Sequence, residues 1–276
     1  MKITTRYFTI LLTACLLLAV SSCDFSSQLM SSTNSANEIK VKRFDRLEYQ
    51  YLTTGEFSAL QQMSTDYPTE TRTLIEDILR IGQMNEEETN KRFLTFFQDS
   101  LLQSLIRDTE EKFANMDKLN DDLTDAFRKL NKALPKIATP YVYSQITALD
   151  QSIVIKDGSI GISLDKYLGK DYPIYKEFFK EEQLEKMTPK MIIPDCVLFY
   201  LISLYPLDNF DSATQEERDM HIGKMQYLAN KIVGFRAYND EPLKKMEAYL
   251  KKHKDVTIES MFEEMEPEKY GIQVIY

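Results

Sequence analysis

The dipeptide Asp157-Gly158 constrains this chain more than any other feature, because it lies between two apolar runs, Ile153-Val154-Ile155 and Ile160-Gly161-Ile162-Ser163-Leu164. An Asp-Gly pair in that setting is a strong hairpin signal, since both central residues of the tight turn need positive φ. Tyr141-Val142-Tyr143, just upstream, has the aromatic and β-branched character of a half-buried strand. Ile39-Lys40-Val41-Lys42-Arg43-Phe44 alternates as another short strand. A small antiparallel sheet of three to four strands is expected.

Helical patterning surrounds it. Phe93, Phe97, Leu101 and Leu105 recur every four residues behind a capping-box-like Asn85-Glu86-Glu87-Glu88. Leu123, Phe127, Leu130 and Leu134 repeat the stripe from Asp121 until Pro135 stops it. Beyond Pro173 the dense apolar run Met191 to Leu204 has the length of a buried helix. Thr214-Gln215-Glu216-Glu217 caps a longer one ending near Gly234, and Glu241-Pro242 opens another. The expected fold class is α+β, predominantly helical.

The amino terminus carries an address. Lys2 and Arg6 precede an apolar stretch from Phe8 to Val20 that is too short to span a bilayer stably. It closes on Val20-Ser21-Ser22-Cys23, the small residues before a cysteine that lipoprotein signal peptidase accepts. Residues 1–22 read as a signal peptide recognised through Val20, Ser21 and Ser22, and Cys23 as the lipidated residue. Each buried methylene contributes about 0.8 kcal/mol, so two or three acyl chains anchor firmly where one does not. Residues 24–37 are small and polar and read as a flexible tether. Residues 38–276 then form a single α+β domain. The anchor is expected in the outer membrane rather than the inner.

Charge and cysteine usage narrow the rest. The formal net charge is −9 and becomes more negative when Lys2 and Arg6 leave. That balance argues against nucleic acid and against electrostatic docking on anionic lipid. With Cys15 in the leader and Cys23 lipidated, Cys196 has no partner for an intramolecular disulfide. Packing must supply the stability, and 43% hydrophobic residues with 16 Tyr and 15 Phe are enough to do so.

Recognisable chemistry is sparse. The histidines are His221 and His253, and the sequence contains no His-Glu-x-x-His, Cys-x-x-Cys, phosphate-binding glycine loop or Gly-x-Ser-x-Gly elbow. Glu217 and His221 share a helix face and could ligate a metal, but His221 also begins a stripe with Met225, Leu228 and Ile232 and reads as the edge of a packed face. Asp195 interrupts an apolar helix. It either suits the helix start, which Pro194 favours, or is buried and paired. Cys196 reads as a small buried hydrophobe, because nothing near it in sequence lowers its pKa. Glu86-Glu87-Glu88 and Glu263-Glu264-Met265-Glu266 lack the pattern of a calcium loop and read as solvated helix ends. Tyr49, Tyr51, Tyr172 and Tyr175 fit an interface or the core equally. No catalytic residue, metal ligand or cofactor is expected.

Ile160-Gly161-Ile162-Ser163-Leu164-Asp165-Lys166-Tyr167-Leu168-Gly169-Lys170-Asp171, with Tyr175, resembles the centre of the GldB lipoproteins of Bacteroidetes, which are associated with gliding motility. Ile39 to Asp45 is similar to that family's opening strand, and Gly223-Lys224-Met225-Gln226-Tyr227-Leu228 to its later helix. The family is in turn similar to predicted zinc peptidases, in which a His-Glu-x-x-His helix follows the Leu-Gly-Lys-Asp region. Here the corresponding helix, Met191 to Leu204, holds no histidine, and a catalytic zinc needs three protein ligands. The resemblance therefore implies a zincin-like scaffold without its metal site. It further implies a non-enzymatic, lipid-anchored envelope protein that binds partners of a gliding or secretion apparatus. The alternatives are a divergent metallohydrolase using Asp195, His221 and Glu217, and a solute-binding lipoprotein.

Overall fold

The computed structural model describes residues 38–135, 137–207, 210–257 and 260–261. The leader, Cys23, the tether and Glu263 to Glu266 lie outside the described residues. The chain divides into two units, Met1–Glu38 and Ile39–Tyr276, and the second carries the fold.

Strand β1 is only Lys42–Arg43, because the chain turns into helix α1 at Phe44 (Phe44–Thr54). Helices α2 (Phe57–Asp66) and α3 (Pro68–Arg72) follow, and α3 runs on into a wide π turn, Thr73–Ile78. The fourfold apolar stripe at 93–105 belongs to two helices, α4 (Thr89–Phe96) and α5 (Ser100–Lys112). The break falls at Asp99, whose carboxylate accepts from the backbone N–H groups of Leu101 and Leu102 and so starts a new helix. The acidic run 86–88 forms turns ahead of α4 rather than a capping box, for Glu88 makes no capping bond through its side chain. Helix α6 spans Asp117–Ala133, one turn earlier than the stripe alone predicts.

Strands β2 (Val142–Gln145), β3 (Ile153–Lys156) and β4 (Ser159–Ser163) complete a four-stranded sheet in the order β1-β2-β4-β3. The β3–β4 hairpin is antiparallel and closes with Asp157 at φ 49° and Gly158 at φ 74°, as the dipeptide requires. The other two pairings are parallel, so the sheet is mixed rather than wholly antiparallel. The physical reason is connection length. A parallel pair needs a long crossover; six helices intervene between β1 and β2, and β2 reaches β4 by way of β3.

Alternation along the strands divides the interior. Val142, Ile153, Ile160 and Ile162 enter one apolar core with α6 and the carboxy-terminal helices, whereas Tyr143, Val154 and Ile146 join a second core with α1, α2, the π turn and α4. Tyr143 lies opposite Gly161 in register, and a Cβ on Gly161 would come within 2.6 Å of the tyrosine ring. The glycine thus leaves the space that the aromatic fills.

Beyond the sheet come short helices α7 (Pro173–Phe178) and α8 (Glu181–Leu184), then α9 (Ile192–Leu204), α10 (Gln215–Val233) and α11 (Glu241–Lys252). Helix α9 is apolar nearly all round and is buried accordingly. Thr214 and Glu217 form the reciprocal capping box at the start of α10, which ends on Gly234 in the left-handed conformation. Among the described residues, no helix is long and apolar enough to cross a membrane.

Helices α10 and α11 meet at Gly223, where an added Cβ would stand 2.1 Å from the Pro242 carbonyl oxygen and 3.1 Å from the Met246 Cβ. Backbone cannot yield there as a flexible side chain would. Gly223→Ala is expected to destabilise the protein by about 1–3 kcal/mol through forced separation of the two helices, to be read as a fall in the midpoint of thermal unfolding followed by circular dichroism. An unchanged midpoint would show that the two helices separate at little cost.

Candidate functional site

The loop leaving β2 is built unusually. Its backbone N–H groups point at buried carboxylates instead of at a neighbouring strand. The Ile146 N–H donates to Glu48 Oε2 at 2.8 Å. The Thr147 N–H donates to Asp165 Oδ1 at 3.1 Å, and the Leu149 N–H to Asp165 Oδ2 at 2.7 Å. Between them Ala148 and Leu149 sit at φ 51° and 67°. That left-handed conformation costs a side-chain-bearing residue roughly 1–2 kcal/mol. Backbone N–H groups that converge in this way make an anion-binding concavity, and here the anion is the protein's own Asp165. Lys166 completes the clamp by donating to the Leu149 carbonyl at 3.1 Å while lying 4.3 Å over the Phe179 ring.

The acids come from two elements. Asp45 and Glu48 project from α1 on the face that also buries Phe44, Tyr51 and Leu52. Asp45 holds Arg43 in a two-pronged pair at 2.9 and 2.7 Å and accepts from the Ser144 hydroxyl, which fastens α1 to β2. Asp165 begins the turn after β4, and its own carbonyl accepts from the Tyr175 hydroxyl. Burial pushes the Asp165 carboxyl up to about 6 against the pull of its two backbone donors. Burial, reinforced by the Asp45 charge, also lifts Glu48 well above the usual carboxylate range, and its Oε1 has no hydrogen-bond partner among the described residues.

This loop borders an exposed apolar surface. Ile78, Leu79, Phe96, Leu101, Leu149 and Phe178 help line a cavity of about 380 Å³. Phe178 is 60% exposed and Phe96 39%. Full burial of such a side chain contributes about 1.5–3 kcal/mol, so both rings give up stability by remaining in water.

The residues singled out from the sequence do not assemble. Asp195 lies in the first turn of α9 and is also buried, so both expectations for it hold at once. Tyr167 donates its hydroxyl to Asp195 Oδ2 at 2.8 Å and Tyr238 donates to Oδ1 at 2.6 Å. Burial again raises this carboxyl to about 6, against those two hydrogen bonds. Glu217 is committed to its cap and exposed, and burial lowers the pKa of His221 at the edge of α10. Cys196 is fully buried, with its thiol pushed up by burial. Tyr51 and Tyr175 are core residues, whereas Tyr49 and Tyr172 are half-buried. Among the described residues, no group of three or more His, Cys, Asp or Glu side chains is placed to hold a metal ion.

The sequence reading missed Asp45, Glu48 and Asp165. A signal existed in α1, where two acids occupy positions on the stripe of Phe44 and Leu52. For Asp165 the only cue was a carboxylate following an apolar strand.

Fold and site together describe an α+β body whose buried acids organise its backbone. A family model described as gliding motility protein GldB matches residues 27–240. The chain belongs to that family. No curated protein and no solved structure matches the chain, so the zincin-like scaffold rests on the resemblance alone.

Two substitutions separate the two clamps. Asp165→Asn would turn an amide N–H₂ toward a backbone N–H, leaving a buried donor unmet and releasing the left-handed pair, at a cost of about 3 kcal/mol. Asp195→Asn can still accept from one tyrosine and donate to the other, so its cost should stay below about 1 kcal/mol. The pH dependence follows from the raised pKa values. The stability tied to each protonated carboxyl is fully present below the unfolded value of 3.8 and is lost as pH rises through about 6. Burial of His221 acts in the opposite sense, since its lowered pKa removes stability as pH falls. Comparison with Asp195→Asn isolates one carboxyl: between pH 7 and 5 the wild type should gain about 1 kcal/mol over the variant in urea unfolding. Parallel curves would mean that Asp195 titrates normally.

Proposed function

We propose that this chain is a lipid-anchored component of the cell envelope that assists a gliding or secretion apparatus by binding partner proteins, without catalysing a reaction. The observation that carries the reading is the exposed Phe96–Phe178 surface against a loop fixed by Asp165. An apolar surface on a rigid border is suited to docking, since little conformational entropy is lost on binding. Membership of the gliding motility family directs the choice of partners toward the envelope.

The buried carboxylates of Asp195 and Asp165 are engaged internally. Both oxygens of Asp195 accept tyrosine hydroxyls, and both oxygens of Asp165 accept backbone N–H groups. Such groups position structure rather than attack a substrate. The anchor in this reading is Cys23, processed after Val20-Ser21-Ser22. Residues 24–37 would hold the body away from an outer-membrane surface.

Crosslinking in the native envelope, followed by purification of the lipidated protein through a carboxy-terminal tag, tests the proposal. A reproducible set of envelope proteins is expected. Phe96→Ser with Phe178→Ser should reduce their recovery at least about tenfold, since hot-spot aromatics contribute 2 kcal/mol or more. Unfolding midpoints should change little, because both rings are exposed. Cys23→Ala should release the protein from the membrane. Recovery of the protein alone, or partners indifferent to the double substitution, would refute the docking role.

A further inference from the structure

On the opposite side of the sheet from α1, helix α6 faces the start of α9 and the end of α10 across a cleft of about 560 Å³. That volume falls within the roughly 300–1,000 Å³ typical of small-molecule sites. Its floor is apolar, made by Met116, Leu119, Ala126, Ile193, Ile232 and Val233. Its rim is cationic. Lys112 ends α5, Lys129 projects from α6, and Lys190 comes from the turn before α9. Two acids also line the cleft, but Asp122 is paired with Lys118 at 2.7 Å and Asp125 with Arg128 at 2.5 Å. Among the described residues, Lys112, Lys129 and Lys190 form no ion pair. Lys190 is held 4.5 Å over the Phe235 ring, which fixes its ammonium at the mouth.

A chain of net charge −9 thus gathers three unneutralised lysines, from three separate elements, around one apolar hollow. An apolar floor alone would suit many occupants. A cationic mouth on an acidic protein selects the charge of the head group. We infer that the cleft binds an amphiphilic anion, with an aliphatic chain along Leu119, Ile193 and Val233 and a carboxylate or phosphate head at Lys129 and Lys190. A free fatty acid and a lysophospholipid share this chemistry. The cleft has no lining residue in common with the Phe96–Phe178 surface, so partner docking and ligand binding can fail independently.

Photo-crosslinking of the full lipidated chain in phosphatidylcholine vesicles tests the site, using dodecanoic acid with a diazirine at its methyl end. Peptide mapping should place the label on segments holding Leu119, Ile193 and Val233. Lys129→Glu with Lys190→Glu should lower labelling about tenfold, the loss expected for a hydrogen-bonded charge pair. Both lysines are exposed, so circular dichroism should be unchanged. Excess dodecanoate or dodecyl phosphate should displace the probe, and the stronger competitor identifies the source as fatty acid or phospholipid. Dodecanol should not compete. Label spread equally over Phe57 and other exposed apolar residues, equal competition by dodecanol, or labelling indifferent to charge reversal would overturn the inference.

Discussion

Buried carboxylates accepting backbone N–H groups are the interaction on which the rest of this fold depends. Glu48 and Asp165 both reach the β2 exit, one from the helix that follows β1 and one from the turn that follows β4. Neither contact is local, for Glu48 and Ile146 are separated by 98 positions and Asp165 and Thr147 by 18. Removing these acids would leave donors buried without acceptors, at about 1–3 kcal/mol each. It would also leave nothing to hold Ala148 and Leu149 in an unfavourable backbone conformation. The acids are themselves costly to bury, as their raised pKa values show. The arrangement exchanges carboxylate hydration for a loop of one definite shape.

That shape matters because of what the loop borders. Leu149 is held in place, and so the apolar surface running to Phe96 and Phe178 has a fixed edge. Local strain over-determined by its surroundings is characteristic of functional segments. Ala148 and Leu149 are such a pair, and the exposed Phe96 and Phe178 lie along the same cavity.

Legibility from sequence followed the range of the interaction concerned. The Asp157-Gly158 turn, the Thr214–Glu217 capping box and the buried α9 were readable because each is set by neighbours within a turn or two of chain. The split between α4 and α5 was harder, since the apolar stripe continues across it and only Asp99 marks the break. Strand direction was not readable. One parallel pairing follows a crossover of six helices and the other a crossover through β3, and no local pattern records either. The carboxylate clamps were invisible for the same reason: an acid on an apolar stripe identifies itself, but not its partner across the sheet. Asp195 illustrates the limit well. Pro194 and the apolar run spoke to its place in the helix, while Tyr167 and Tyr238 lie 28 and 43 positions away.

The two buried aspartates also differ in what meets their carboxylates. Asp195 is met by two hydroxyls, which can donate or accept, so an amide or another polar group could replace it with modest loss. Asp165 is met by two backbone N–H groups, which can only donate, so its position demands an acceptor at both oxygens. The first site is therefore the one expected to accept an amide. The second is not, because the loop it fixes is backbone. Rigidity at the β2 exit and tolerance in the first turn of α9 thus depend on whether a buried carboxylate meets backbone donors alone or hydroxyls.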